Sequence, residues 1–292
     1  MTSILLLDAD IVCYRAGFAG QVTSLQIAYE DKEGVLRTRG FLPDPKLGSA
    51  RKQLDKFIAD TDSTVLDEQK RVDAEPIENV LHSVKHMIQD ILNETKCGDY
   101  KVFLTGKENY RDAIATIRPY KGNRDKLARP VHYGAIREYL VKYWAAVVVE
   151  GEEADDRISI LGRSVEHSGK SVVASIDKDL DQIPGKHYDF VKKVAYDVSA
   201  DEAELCFYRQ CLSGDAVDNI PGCFRMGYAK AERLLEATPR NEWWTAIVEA
   251  YEASKAIDGC PYVSLEATAV ALETAQLVRL RTFPGEIWRP NE

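Results

Sequence analysis

The chain has 292 residues, 45% of them hydrophobic, and a formal net charge of −9. That length suits one large domain or a large one with a smaller companion, and the apolar share is enough for a core. No run of about 18 apolar residues is present, which excludes a membrane-spanning helix.

Six cysteines show no CxxC spacing and no regular framework, so they read as reduced thiols of a cytoplasmic protein. The N-terminus reaches LLLDAD without a basic segment or a small-residue cleavage site, so no secretory signal is expected. Charge is unevenly spread. From Lys101 to Pro130 eight basic residues face three acidic ones, whereas Phe41 to Asp99 carries twelve acidic against eight basic. A basic segment in an acidic body is compatible with a polyanionic partner despite the net charge.

In chain order, residues 3–8 (SILLLD) predict a buried strand ending at Asp8, with Asp10 just beyond. Residues 22–42 alternate around a Lys-Glu-Gly turn, predicting a hairpin. Residues 43–76 are polar, weakly periodic and interrupted by prolines, which predicts an excursion with some helix. Residues 77–95 place Ile77, Val80, Leu81, Val84, Met87, Ile88, Ile91 and Leu92 on one helical face. YKVFLTG predicts a strand closed by glycine. VHYGAIREYLVKY predicts a helix, AAVVVE a strand, ADDRISILGRSVEH a helix and SVVASID a strand. That alternation implies an α/β fold with a mostly parallel core sheet. Beyond residue 200 the chain reads as helices and loops. This suggests residues 1–200 as one part and 201–292 as a helical second part, the two able to pack as one body.

Carboxylates recur where the predicted strands end. Asp8 follows the first strand; Glu153, Asp155 and Asp156 follow AAVVVE; Asp177 and Asp179 follow SVVAS. Ligands of open α/β sheets bind beyond the carboxyl ends of the strands. In a helix Glu153 and Asp156 share a face and Asp155 lies about 100° away. Acids at a helix start also serve as caps, but three in four residues exceed what capping needs. Crowded carboxylates without His or Cys favour a hard cation such as Mg²⁺ or Mn²⁺. GDAVDNIPG, residues 214–222, adds Asp215 and Asp218 in a string of turn formers. PYKGNRDKLARP, residues 119–130, sets Tyr120 beside Lys121, Arg124, Lys126 and Arg129. It reads either as a solvated basic loop or as a phosphate contact with Tyr120 stacking on a base.

LLLDAD, RPYKGNRDK, EGEEADD, SIDKDLDQI and SGDAVDNIPG stand in the order of the 5′-nuclease family. That family includes bacteriophage 5′–3′ exonucleases, flap endonucleases and the 5′-nuclease domain of bacterial DNA polymerase I. The chain resembles it over residues 3–237, most of all the short phage type. The resemblance implies a PIN-like three-layer α/β/α core, a helix–three-turn–helix module, and two divalent ions. It implies Asp8, Glu153, Asp155 and Asp156 as one metal group and Asp177, Asp179, Asp215 and Asp218 as the other. Lys121 and Arg124, with Tyr120, match the pair at the scissile phosphate. Arg118, Lys126, Arg129, Arg225 and Lys230 are implied DNA contacts, and a K⁺ ion is implied at the hairpin of residues 222–235.

The activity implied is 5′–3′ exonuclease and flap endonuclease action in phage-type DNA replication or repair. The substrates would be DNA with 5′ ends or flaps, extending to RNA–DNA hybrid, and the enzyme a monomer in the cytoplasm. The sequence departs from the family at Thr105 and Gly106, where many members carry an Asp, leaving Glu108 or Asn109 as substitutes. Phe224 and Arg225 replace part of the hairpin's glycine pattern. An inactive DNA-binding relative, a PIN-type ribonuclease and a dehalogenase-type phosphatase stay open as alternatives.

Overall fold

The computed structural model describes residues 3–44, 48–124, 128–164, 166–167 and 169–290. The chain divides into two compact units: Met1–Ile11 with Ile88–Ala128 and Leu140–Glu292, and Val12–Met87 with Arg129–Tyr139. The boundary expected near residue 200 falls inside the first unit, so the helical C-terminal part packs with the strands as one body.

The first unit is built on a six-stranded sheet in the order β6-β5-β1-β7-β8-β9. Its strands are β1 (Ile4–Asp8), β5 (Asp99–Asn109), β6 (Val147–Gly151), β7 (Ser171–Ala174), β8 (Gly185–Asp189) and β9 (Val194–Val198). All neighbouring pairs are parallel except β8 and β9. β1 is central and every residue of it is buried, as a continuous apolar run requires when both faces are covered. Leu6, Phe103, Val149 and Val173 pack from four adjacent strands onto Ala154 and Ile158 of helix α6 (Ala154–Arg163). The β8–β9 hairpin was not expected: its strands carry His187, Tyr188, Tyr196 and interspersed charges in place of an apolar run. β5 also runs past Gly106 to Asn109, because the chain there continues beside β6.

The helices of this unit are α4 (Arg111–Ile114), α7 (Ala200–Ser213), α8 (Tyr228–Glu236), α9 (Trp243–Ser254) and α10 (Ala267–Val278), besides α6. α7 starts at a capping box in which Ser199 Oγ accepts from Glu202 N and Glu202 accepts in return from Ser199 N. Phe207, Leu212, Leu235, Ile247, Tyr251, Val270 and Val278 form its helical core. Helices α1 (Ala9–Ala19), α3 (Ile77–Thr95) and α5 (Tyr133–Trp144) run from one unit into the other.

The second unit holds a separate antiparallel sheet in the order β3-β2-β4. It comprises β2 (Gln21–Glu30), β3 (Leu36–Phe41) and β4 (Thr64–Ala74), with helix α2 (Ala50–Thr61). The hairpin read from alternation is β2–β3. β4 is a strand where only an excursion was expected. Ile27 and Phe41 meet Leu54 and Phe57 of α2 in a small core of their own.

Candidate metal centre and phosphate-contact loop

Parallel pairing with β1 in the middle brings the ends of β1, β6 and β7 to one edge. Asp8 is buried at the end of β1. Its Oδ1 accepts from Asp10 N at 3.1 Å and its Oδ2 from Ser175 Oγ at 3.2 Å. Ser175 Oγ accepts from Asp177 N at 3.0 Å, and Asp177 Oδ1 from Asp179 N at 2.9 Å. This chain of bonds fixes the β1 and β7 ends against each other. Gln210, on α7, donates to Asp179 Oδ1 at 2.5 Å and accepts from Gln182 at 2.6 Å.

The electrostatics match two carboxylate groups sharing a member. Burial, then the charges of Asp10 and Asp177, push Asp8 up to about 8. Burial, then Asp8, Asp177 and Glu153, hold Asp155 well above the usual carboxylate range. Burial, then Asp177, Asp215 and Asp218, push Asp179 up to about 8. Asp177 is raised as well, by burial and then by Asp218 and Asp215. Such crowding resists ionisation and is relieved by bound cations.

The expected basic loop closes over this edge. Residues 119–124 are zipped to residues 216–219: Lys121 N donates to Asp218 O at 2.9 Å, Asn123 Nδ2 to Ala216 O at 2.9 Å, and Asn219 Nδ2 to Pro119 O at 2.9 Å. The loop around Asp215 and Asp218 is held by a two-bond bridge between Asp215 and Ile220. Its two ends touch at Gly214 and Gly222. A Cβ on Gly214 would stand 2.3 Å from Ile220 O, and both residues have positive φ, so glycine is required at each. Lys121 Nζ bonds Glu153 Oε1 and lies 3.6 Å from Asp218 Oδ2, while Arg124 bonds Asp218 Oδ1. The Lys121 ammonium thus bridges one carboxylate of each implied metal group, a position suited to a cation.

All eight implied ligands offer carboxylate oxygen, and the crowding and the bridging ammonium both fit a hard divalent ion. Among the described residues no three His, Cys, Asp or Glu side chains already converge as a ligand cage. The edge therefore supplies donors and charge, and Asp8, Asp155, Asp177, Asp179 and Asp215 are the carboxylates that, among the described residues, can turn to an ion without giving up an arginine or lysine partner.

Two expectations are corrected. Asp156 is fully buried and clamped by Arg111, whose Nη1 and Nη2 donate at 2.6 and 2.9 Å. It also accepts from Arg281 N and Glu153 N, both at 3.1 Å. Burial would raise this carboxyl, but Arg111 outweighs it and holds the group below the usual range. Asp156 is a structural partner of Arg111, which itself donates to Leu277 O and Arg279 O and so ties α6 to the end of α10. Tyr120 does not offer a stacking face. Its ring belongs to the helical core, and its hydroxyl donates to Glu153 Oε2 at 3.0 Å and Asp218 Oδ2 at 2.8 Å.

At the altered position, Thr105 N donates to Asp10 Oδ2 and Thr105 Oγ1 accepts from Ala154 N. At Gly106 a Cβ would stand 2.4 Å from the backbone oxygen of Val149, so a side chain has no room. Asn109 Nδ2 donates to Glu153 Oε1 at 2.9 Å. It positions Glu153 with its nitrogen and presents no oxygen there. Arg111, Ser175 and Gln210 were missed because no local spacing distinguishes them, and Asn109, expected as a substitute ligand, serves instead as a donor to Glu153.

Arg118 and Arg225 line one open cleft with Phe224 and Tyr262. Lys230 is exposed in the first turn of α8, its Nζ 3.3 Å from Arg225 O. Arg129 lies in the second unit, its guanidinium 5.0 Å over the Tyr133 ring. Lys126 lies outside the described residues.

The site is thus a carboxylate-rich edge of a mostly parallel α/β sheet under a basic loop. No family model matches the chain. It is 34% identical to DNA polymerase I of Rhizobium leguminosarum over 130 residues, covering 40% of this chain and 13% of the polymerase. It is 34% identical to flap endonuclease Xni of Shewanella denitrificans over 93 residues, covering 28% of this chain and 37% of that protein. The matched stretches thus span well under half the length of either relative. The structure of T5 5′-exonuclease with bound zinc superposes with a TM-score of 0.52 at 19% identity, covering 69% of this chain and 82% of that one. That likeness is one of fold, the PIN-like α/β core. The motif order, these local matches and the fold are thus similar to those of 5′-nucleases.

Proposed function

We propose that this chain is a divalent-metal-dependent 5′–3′ DNA exonuclease with flap endonuclease activity, serving DNA replication or repair. The observation that carries the reading is the Lys121 ammonium held between Glu153 and Asp218 at the carboxylate edge. The relatives support it: one is a flap endonuclease and one a DNA polymerase, and a protein of like fold binds divalent metal.

Bound Mg²⁺ or Mn²⁺ would lower the pKa of an attacking water and neutralise the leaving oxygen, two ions dividing these tasks. The chain's own residues do the rest. Asp8, Asp155, Asp177, Asp179 and Asp215 hold positive charge at the edge. Lys121 and Arg124 exchange their carboxylate partners for the scissile phosphate and stabilise the charge that grows on it. Tyr120 keeps Glu153 and Asp218 in place during that exchange. Arg118, Arg225 and Lys230 contact backbone phosphates without reading bases, and the 222–229 loop amides offer a further phosphate or K⁺ contact.

The test is a flap duplex labelled at either end, digested with Mg²⁺, with Mn²⁺ and with chelator, alongside an RNA-flap counterpart. Metal-dependent release from the 5′ end supports the proposal. Full cleavage in chelator overturns it. Binding without cleavage favours the inactive relative, for which the lost Asp at Thr105 and Gly106 is the motivating feature.

A further inference from the structure

β4 pairs with β2 on one side only, and its other edge carries no strand among the described residues. It is eleven residues long, and all but Val65 are exposed. An edge of that length offers a row of free backbone groups to another strand. Charges on such an edge ordinarily block pairing. They do so on β3, where antiparallel self-pairing about Thr38 would set Arg37 against Arg39.

The charges on β4 are ordered the opposite way. The strand reads TVLDEQKRVDA. Laid antiparallel on a second copy about Gln69, it places Glu68 opposite Lys70, Asp67 opposite Arg71 and Leu66 opposite Val72. Each pair occurs twice by symmetry. Leu66 and Val72 are exposed large apolar residues, at 54% and 39%. The register is specific: centred on Lys70 it would oppose Asp67 to Asp73, and centred on Glu68 it loses both ion pairs. Leu66 is the extra residue of a bulge against Ala28 and Tyr29, so the regular ladder begins at Asp67 and contains both charged pairs. Lys70 makes no ion pair among the described residues, while Glu68 is shared with Arg51 of α2 at 2.7 Å.

We propose that the β4 edge is a homodimer interface, two copies joining β4 to β4 antiparallel into one six-stranded sheet. The contact is isologous and closes at two chains. The monomer read from the family resemblance gives way here to a weak dimer, since one strand pair buries little surface. The inference is independent of the nuclease reading.

Sedimentation velocity over a concentration series tests it, with Glu68→Lys, Lys70→Glu and their equimolar mixture beside the unaltered protein. The unaltered chain should show a monomer–dimer equilibrium. Each substitution sets like charges opposite one another twice, so each should weaken dimerisation about tenfold or more. In the mixture, the Glu68→Lys copy carries lysine at both positions and the Lys70→Glu copy carries glutamate at both. Opposite charges then face each other twice, so a heterodimer should return. That recovery also excludes misfolding as the cause of the loss. A chain that stays monomeric at every concentration overturns the proposal. So do single substitutions without effect, a mixture that fails to recover the dimer, or species that grow beyond two chains, the mark of head-to-tail β3–β4 pairing.

Discussion

Asp155→Asn and Asp156→Asn, one residue apart, should move the stability of the metal-free protein in opposite directions. Asp156 is the buried anion of a two-bond pair with Arg111 and accepts two backbone N–H groups besides. Removing one partner of such a pair costs about 3–5 kcal/mol, because the other charge stays buried. Asn keeps some acceptor capacity and Glu153 stands 3.8 Å from Arg111, so the lower end applies. At about 2–4 °C per kcal/mol for a chain of this size, Tm should fall by about 6–12 °C. Asp155 is the reverse case. Burial and three neighbouring carboxylates oppose its charge, so neutralising it should raise Tm by a few degrees near pH 8, about 1 kcal/mol or more. Its folded pKa is raised, so the gain should fade toward low pH, where the group is already protonated. Differential scanning fluorimetry in chelator, then with increasing Mg²⁺, separates the roles. The Asp155 variant should lose cation stabilisation and the Asp156 variant retain it. An Asp156 variant that melts no lower than the parent in chelator, yet loses its response to Mg²⁺, would refute the structural assignment.

The metal-free protein should lose stability as pH rises. Asp8 and Asp179 ionise near 8 when folded, against an ordinary value of 3.8, so the stability they confer is full below about pH 4 and lost through about pH 8. Tm measured across that range should fall in chelator and stay flatter in excess Mg²⁺; a rise with pH in chelator would contradict the crowding. Lys121→Ala should lower the single-turnover cleavage rate about tenfold or more while changing DNA affinity less, because its cation acts on charge that develops in the transition state. An unchanged rate at saturating enzyme would leave Lys121 a structural bridge. Lys230→Ala should weaken binding equally for two unrelated duplexes and reduce the salt slope by about one phosphate contact; loss confined to one sequence would rule that role out.

The amino-acid sequence alone determined the strands that are apolar throughout. β1 and β7 are buried on both faces, and continuous hydrophobic runs announce that. It determined the long amphipathic α3, the turn-forming loop of residues 214–222, and the strand-end positions of most acidic side chains, since strand ends are local properties. β4 was invisible because its side chains are almost all exposed and polar: what makes it a strand is the backbone ladder to β2, a partner distant in the chain. The β8–β9 hairpin escaped for a related reason, its side chains forming no apolar run.

Only the tertiary structure decided how the acids divide. Asp155 and Asp156 are adjacent, and helical geometry allowed both to face one cavity. Arg111 arrives from the end of β5 and takes Asp156 into the core, leaving Asp155 among Asp8, Asp177 and Glu153. Tyr120 likewise reads as an exposed ring beside basic residues until the helical core buries it and leaves only its hydroxyl at the site. Local sequence records which charges are present. Which of them a folded chain neutralises with its own cations depends on contacts between distant segments, and those follow from burying the core.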